Sequence, residues 1–262
     1  MDLKGKIQGD SGLKQLSDLL KDSHCRTKIL RLSNSNITEE GSSALSSAIC
    51  SNPSHLTELD LSENKLGNSG VKQICGILEN PDCGLQKLDL SFCNITEQGY
   101  TDLESAVKSN SSLIELVLRG NDPGETGVKM LNDILENSQH NLSKLRLLKS
   151  SAVEDVCASL TVALGTNPLL LTELDLSGKI TGDSSVKQLS DLLQDLHCRT
   201  TKLKLSNSDV TENGCAALSA ALCSNPSHLI ELDLSENVVG NSGVKHLCDL
   251  LNNQYHKLQR LK

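Results

Sequence analysis

Aromatic residues are almost missing from this 262-residue chain: Phe92, Tyr100 and Tyr255 are the only three, and Trp is absent. Base stacking on aromatic platforms is therefore unavailable, and a formal charge of -8 denies the basic surface that phosphate binding requires, so nucleic acid is excluded as a partner. No apolar run reaches the ~18 residues of a helical membrane span. The opening MDLKGKIQGDSG also lacks the apolar stretch of a secretory signal, which points to a cytosolic chain.

Chemistry-bearing motifs are missing too. There is no CxxC, no HExxH and no cluster of His with carboxylates, so no metal is expected. A nucleophile with its base and orienting partner cannot be picked out, and catalytic and cofactor-binding residues are expected to be none. The nearest approach to a phosphate loop, Gly178-Lys179-Ile180-Thr181, lacks both the first Gly and a Ser/Thr directly after Lys. Ten cysteines are present, but no two neighbouring repeats place Cys in the same column, so they read as reduced, small hydrophobes. The sequons at Asn36, Asn94, Asn110 and Asn141 are incidental in a chain this rich in Asn and Ser.

What the chain does have is leucine, 49 of 262 residues, on a fixed period. Equivalent LxxLxL positions fall at Thr27, Leu56, Leu85, Leu113, Leu142, Leu171, Thr200, Leu229 and Leu258, spaced by 29 residues with one step of 28. Each unit opens on a short alternating strand and continues into a helix with apolar residues 15, 18, 21 and 22 positions after the opening one, as in Val71, Ile74, Ile77 and Leu78. One apolar strand face and one apolar helix face cannot fold alone; stacked neighbours bury a shared core. Helices are wider than the strand spacing, which predicts an α/β solenoid or horseshoe with a parallel sheet on the concave face and helices on the convex face. The period predicts one domain over 1-262, about nine repeats with truncated ends. Those ends fall inside strand motifs, so the chain is expected to be a fragment of a larger protein.

A second period spans two repeats. The third helix position alternates Ala48, Ile77, Ala106, Ile134, Ala163, Leu192, Ala221 and Leu250. Residues 10 to 71 also reappear at 183 to 244, with GNSGVK at Gly67 and Gly240, which marks a duplication.

LxxLxLxxN/C strands, a 28/29 alternation and a helix opening with Gly70-Val71 resemble the ribonuclease-inhibitor class of leucine-rich repeats. Stretches such as CRTKILRLSNSNITEEG and LQKLDLSFCNITEQG are similar to the C-terminal repeats of fish-type NLR (NACHT-leucine-rich-repeat) receptors. That resemblance implies a non-enzymatic module of a cytosolic innate-immune receptor, contributing recognition or autoinhibition, whose partners are a protein, a ligand or other domains of the receptor. The Asn/Cys column departs from the family at Ser35, Ser150, Lys179 and Ser208, so its polar ladder is expected to be incomplete. The helix-start Gly is replaced by Val156 and Ser185.

Two rivals follow from related repeats. A ribonuclease-inhibitor-like enzyme inhibitor needs an acidic clamp and aromatic anchors, and a GTPase-activating repeat protein needs a catalytic Arg that no residue here marks. The strand face argues against the inhibitor. Its first outward column runs Ile29, Glu58, Lys87, Glu115, Lys144, Glu173, Lys202, Glu231, Arg260, alternating in sign after the first. This predicts in-register cross-strand ion pairs. The pattern lapses where Val117, Arg119, Arg146 and Leu148 place large side chains; their expected exposure makes them the candidate protein-binding patch.

Overall fold

The computed structural model describes residues 1–52, 55–136, 142, 144–148, 151–225, 228–252 and 257–262; Asn141, Ser150 and Tyr255, named above, and the side chain of Lys144 lie outside them. The chain divides into two compact units, Met1–Leu147 and Leu148–Lys262.

In unit 1, helices α1 (Gly9–Lys21), α2 (Glu39–Ser51), α3 (Gly67–Leu78), α4 (Glu97–Ser109) and α5 (Gly124–Glu136) alternate with strands β1 (Ile29–Arg31), β2 (Glu58–Asp60), β3 (Lys87–Asp89), β4 (Glu115–Val117) and β5 (Lys144–Arg146). The strands form one parallel sheet in chain order, and Asp2 adds an isolated bridge to Arg31. Unit 2 holds α6 (Ser151–Leu164), a 3-10 turn at Pro168–Leu170, β6 (Glu173–Asp175), α7 (Gly182–Leu193), β7 (Lys202–Lys204), α8 (Glu212–Ser224), β8 (Glu231–Asp233), α9 (Gly240–Asn252) and β9 (Arg260–Leu261). Strands β6 to β9 form a second parallel sheet. Each unit is a leucine-rich-repeat stack, and the register sets equivalent repeat positions side by side, such as Leu59 with Leu88 and Leu203 with Leu232.

The leucine at the centre of each strand is the heart of the core. Leu30, Leu59, Leu88 and Leu116 in unit 1, and Leu174, Leu203 and Leu232 in unit 2, are fully buried. Among helix positions, the third faces the preceding helix, so it is buried throughout except in α1 and α6, the first helices of their units, where Leu19 and Ala163 are exposed. The first and fourth positions face the following helix. In α9, the last, they are the half-exposed Val244 and Leu251. An apolar face seen in sequence is thus two half-faces, each needing its own neighbour.

Polar devices tie successive repeats. Asn64 accepts from the backbone N–H of Ser35 and Ile37 in the preceding loop (both 3.0 Å), while its amide donates to Leu32 O and Leu61 O. Asn121 and Asn237 make the same four-bond staple onto Cys93/Ile95 and Ser208/Val210. The staples fall on every second repeat except at Lys179, where the ladder is incomplete as expected; between Asn64 and Asn121, Cys93 donates its thiol to Leu61 O and Ser91 O.

Helix starts are tied in a second way. Asp10 accepts from the Thr38 N–H and hydroxyl at the head of α2, Asn68 from the N–H groups of Thr96 and Gly99 at α4, and Asp183 from Thr211 at α8. Each puts an acceptor at a helix N-terminus, where orphan N–H groups and the positive end of the dipole favour it. The helix-start glycines leave room for this approach: a Cβ on Gly99 would lie 2.7 Å from Asn68 Oδ1, and on Gly214 2.6 Å from Asp183 Oδ1. Val156 and Ser185 break that column next to the point where the chain divides.

All ten cysteines are free thiols, six of them buried. Burial pushes Cys75 and Cys93 up to about 12, so these are packing groups and not nucleophiles at neutral pH.

Candidate functional site

The strand faces carry the charged columns in the register read from sequence: Glu58 beside Lys87, Lys87 beside Glu115, Glu173 beside Lys202, Lys202 beside Glu231. The tight ion pairs, however, are diagonal. Glu173 meets Lys204 at 2.6 Å but Lys202 at 3.7 Å; Glu231 meets Lys262 at 2.6 Å but Arg260 at 3.4 Å. Glu115 takes Arg146 at 2.7 Å against 3.9 Å for Lys87, and Arg31 reaches Glu58 at 3.1 Å. Side chains directly alongside one another on parallel strands run side by side, whereas a base two residues further along can swing its end back onto the carboxylate.

These pairs leave a titration signature. The ammonium of Lys204 bonded to Glu173, and that of Lys262 bonded to Glu231, hold both carboxyls below the ordinary glutamate range. A depressed folded pKa contributes stability that is complete above the unfolded value and is lost as pH falls through the folded one. Asp89 has the opposite sign. Burial, with Asp60 alongside, raises it against the bonds it accepts from Ser91. We therefore expect Asp89→Asn, which keeps an acceptor for Ser91, to raise the unfolding midpoint of unit 1 at pH 7. Thermal scans should show that gain shrinking as pH falls toward 4.

In β3 Asp89 braces Ser91 through its N–H (2.9 Å) and hydroxyl (2.6 Å), and Asp60 does the same for Ser62. Val117-Leu118-Arg119 and Arg146-Leu147-Leu148 cannot form this brace, which is the structural content of the lapse in pattern. Two of the four residues picked from sequence are not exposed, however: Val117 and Leu148 are each only 3% accessible. Val117, short and β-branched, lies between the longer Asp89 and Arg146 of the flanking strands. Leu148 is buried beside the equally buried Leu147 and is the first residue of unit 2. Arg119 is partly accessible, and Arg146 is partly accessible but engaged with Glu115.

A residue passed over in the sequence completes this region of unit 1. Phe92 follows β3 and is 46% exposed. Its φ is +53°, a left-handed conformation that costs a bulky residue on the order of 1–2 kcal/mol. The ring lies against the backbone of Gly120, where a Cβ would come within 2.2 Å of it, and the Phe92 N–H donates to Arg119 O at 2.7 Å. The neighbouring loop thus offers a glycine where the ring needs a flat seat. An accessible aromatic held in a strained conformation, its N–H bonded to the backbone of a partly accessible Arg, has the composition of an interaction hot spot. Among the described residues no group of three or more His, Cys, Asp or Glu could hold a metal ion, and no helix is long and apolar enough to cross a membrane.

The chain matches the family described as Leucine Rich repeat over residues 52–75, 83–100 and 225–248. It is 36% identical over 261 residues, its whole length, to NACHT, LRR and PYD domains-containing protein 14 of Mus musculus. It is 36% identical over 262 residues to NACHT, LRR and PYD domains-containing protein 3 of Bos taurus, and 38% identical over 83% of the chain to protein 12 of the same series from Homo sapiens. It spans 26%, 25% and 20% of those relatives' lengths. They are mammalian, and the narrower likeness to fish-type receptors draws no support from them. Repeat period, parallel strands, alternating Asn staples and full-length similarity agree: the chain is a leucine-rich-repeat region of the kind found in NACHT, LRR and PYD domains-containing proteins.

Proposed function

We propose that this chain is the non-enzymatic protein-interaction module of an NLR-type cytosolic innate-immune receptor, contributing ligand recognition or autoinhibition. Its partner is a protein or another domain of the same receptor. The observation that carries this reading is Phe92, whose exposed ring is seated on Gly120 in a conformation that folding alone does not favour and whose N–H donates to Arg119 O. Val117 is buried in β4 and pairs in register with Arg146 of β5, which is bonded to Glu115. Leu148, equally buried, supplies no contact area of its own. The enzyme-inhibitor alternative is disfavoured by the mixed charge of the strand face, where most acids already have a base.

The test separates binding from folding. Phe92→Asn installs a residue at home at positive φ, so the fold should be as stable as before or slightly more so. Used as bait in immune-cell extract, that variant and Arg119→Ala should each lose the proteins held by the unaltered chain, by tenfold or more for a hot spot of about 2 kcal/mol. Undiminished capture by both variants would remove this surface from the proposal.

A further inference from the structure

The duplication sets two helix starts in parallel. Thr38-Glu39-Glu40-Gly41 opens α2 and Thr211-Glu212-Asn213-Gly214 opens α8, so Asn213 stands where the first copy has Glu40. Asn213-Gly214 is also the only Asn-Gly pair in the chain. An asparagine followed by glycine is the pair most open to imide formation, because no Cβ on the next residue hinders its backbone nitrogen from reaching the side-chain amide.

Asn213 is exposed and is the second residue of α8. In a first turn the backbone N–H groups have no intrahelical acceptor and the helix end frays, so the Gly214 nitrogen is not locked into the helical ladder. Asp183 of α7 is what meets this turn, accepting from the Thr211 N–H at 2.9 Å and from the Thr211 hydroxyl. Burial pushes Asp183 up, but the bonds it takes from Thr211, the Gly214 N–H and the Asn213 side chain hold it below the ordinary aspartate range. In the first copy the acid in this column has a base: Glu40 lies 3.7 Å from Lys14. Lys187, the counterpart of Lys14, is exposed on α7 and makes no ion pair among the described residues.

We infer that Asn213 is a deamidation site, and that the aspartate formed there gives Lys187 the partner that Glu40 gives Lys14. The Gly214 nitrogen attacks Cγ of Asn213; the new C–N bond forms as the C–NH2 bond breaks, and ammonia leaves with the backbone amide proton. Water then opens the imide. Addition at Cγ restores the normal backbone and leaves aspartate, whereas addition at the backbone carbonyl leaves isoaspartate with an extra carbon in the chain. Water is the only co-reactant and ammonia is lost, so the change runs one way. The new carboxylate faces Asp183, to which the amide had donated, and Lys187 offsets that repulsion. An acid in the first turn of α8 also suits the helix dipole. Deamidation therefore adds one negative charge to the helix side of unit 2 without unseating α8.

The test incubates the folded full chain at neutral pH and maps its peptides by mass, with fragmentation to separate aspartate from isoaspartate. Asn241, exposed at the same second position of α9 but followed by Ser242, is the internal reference. Asn213 should convert faster by about tenfold or more, with aspartate among its products. Asn213→Asp reproduces that product directly. Its effect on the melting temperature should be more favourable by about 1–4 °C with Lys187 in place than in a Lys187→Met background, and added salt should shrink the difference. Conversion of Asn213 no faster than that of Asn241, or without any aspartate, overturns the site. Equal shifts in the two backgrounds overturn the pairing with Lys187.

Discussion

Asn121→Ala is expected to be among the most damaging single substitutions in unit 1, costing about 3–5 kcal/mol. Asn121 is 1% exposed and makes four bonds, and its removal strands the Cys93 and Ile95 N–H groups in the interior, at roughly 1–3 kcal/mol each. Leu90 O and Leu118 O lose their donor as well, although a carbonyl tolerates this better than an N–H does. Asn121→Cys provides the internal comparison, because Cys93 occupies that column in the preceding repeat and its thiol donates to a carbonyl. The Cys variant should recover only the donor part of the loss. Native-state hydrogen exchange reads the effect locally: the Cys93 and Ile95 amides should lose protection in both variants. A loss under about 1 kcal/mol with those amides still protected would mean that the staple is not what joins these repeats.

Tyr100→Ala should cost a similar amount for a different reason. Tyr100 is fully buried on α4 in a column where the repeats on either side hold Val71 and Val128, and losing an aromatic side chain from such a site costs about 3–5 kcal/mol in transfer and cavity terms. Its neighbour α5 makes room by placing Gly127 opposite: a Cβ there would lie 3.1 Å from Tyr100 Cβ and Cγ, and 2.7 Å from Pro123 Cβ. Gly127→Ala alone should therefore cost about 1–3 kcal/mol by overpacking. Because the two sites share one space, denaturant titrations of the double variant should show a combined loss smaller than the sum by at least about 0.5 kcal/mol. Strict additivity would indicate that Gly127 answers to Pro123 and not to Tyr100.

The repeat period, the strand register and the columns facing each way were legible because a 29-residue spacing overdetermines them: an error in one repeat is corrected by its neighbours. Three features were not. Ion pairs form diagonally, and this depends on side-chain reach along the strand, which a column of letters does not contain. Val117 and Leu148 point outward by position but are covered, since facing direction and accessibility part company when neighbouring side chains are longer. The apolar helix stripe is two half-faces, each of which is buried only where its own neighbouring helix packs.

Phe92 is the instructive omission. At the described positions seven residues after the opening one stand Asn34, Glu63, Phe92, Gly120, Gly178, Asn207 and Glu236, and each of these has positive φ. Gly and Asn in that column already announce a left-handed turn. Of the residues in that column phenylalanine fits a left-handed backbone least, and this conflict between local preference and the residue present was there to be read in the sequence.

That conflict makes position 92 the place to test whether the strand face of unit 1 is the interaction surface. A photo-cross-linking phenylalanine analogue at position 92 of the full chain, with the same analogue at the 87% exposed Val162 on α6 for comparison, reports direct contact in immune-cell extract. The account predicts a defined protein adduct from position 92 that competes with unlabelled chain, is weakened by Arg119→Ala and is absent from position 162. Adducts from position 162 alone, with none from position 92, would contradict it.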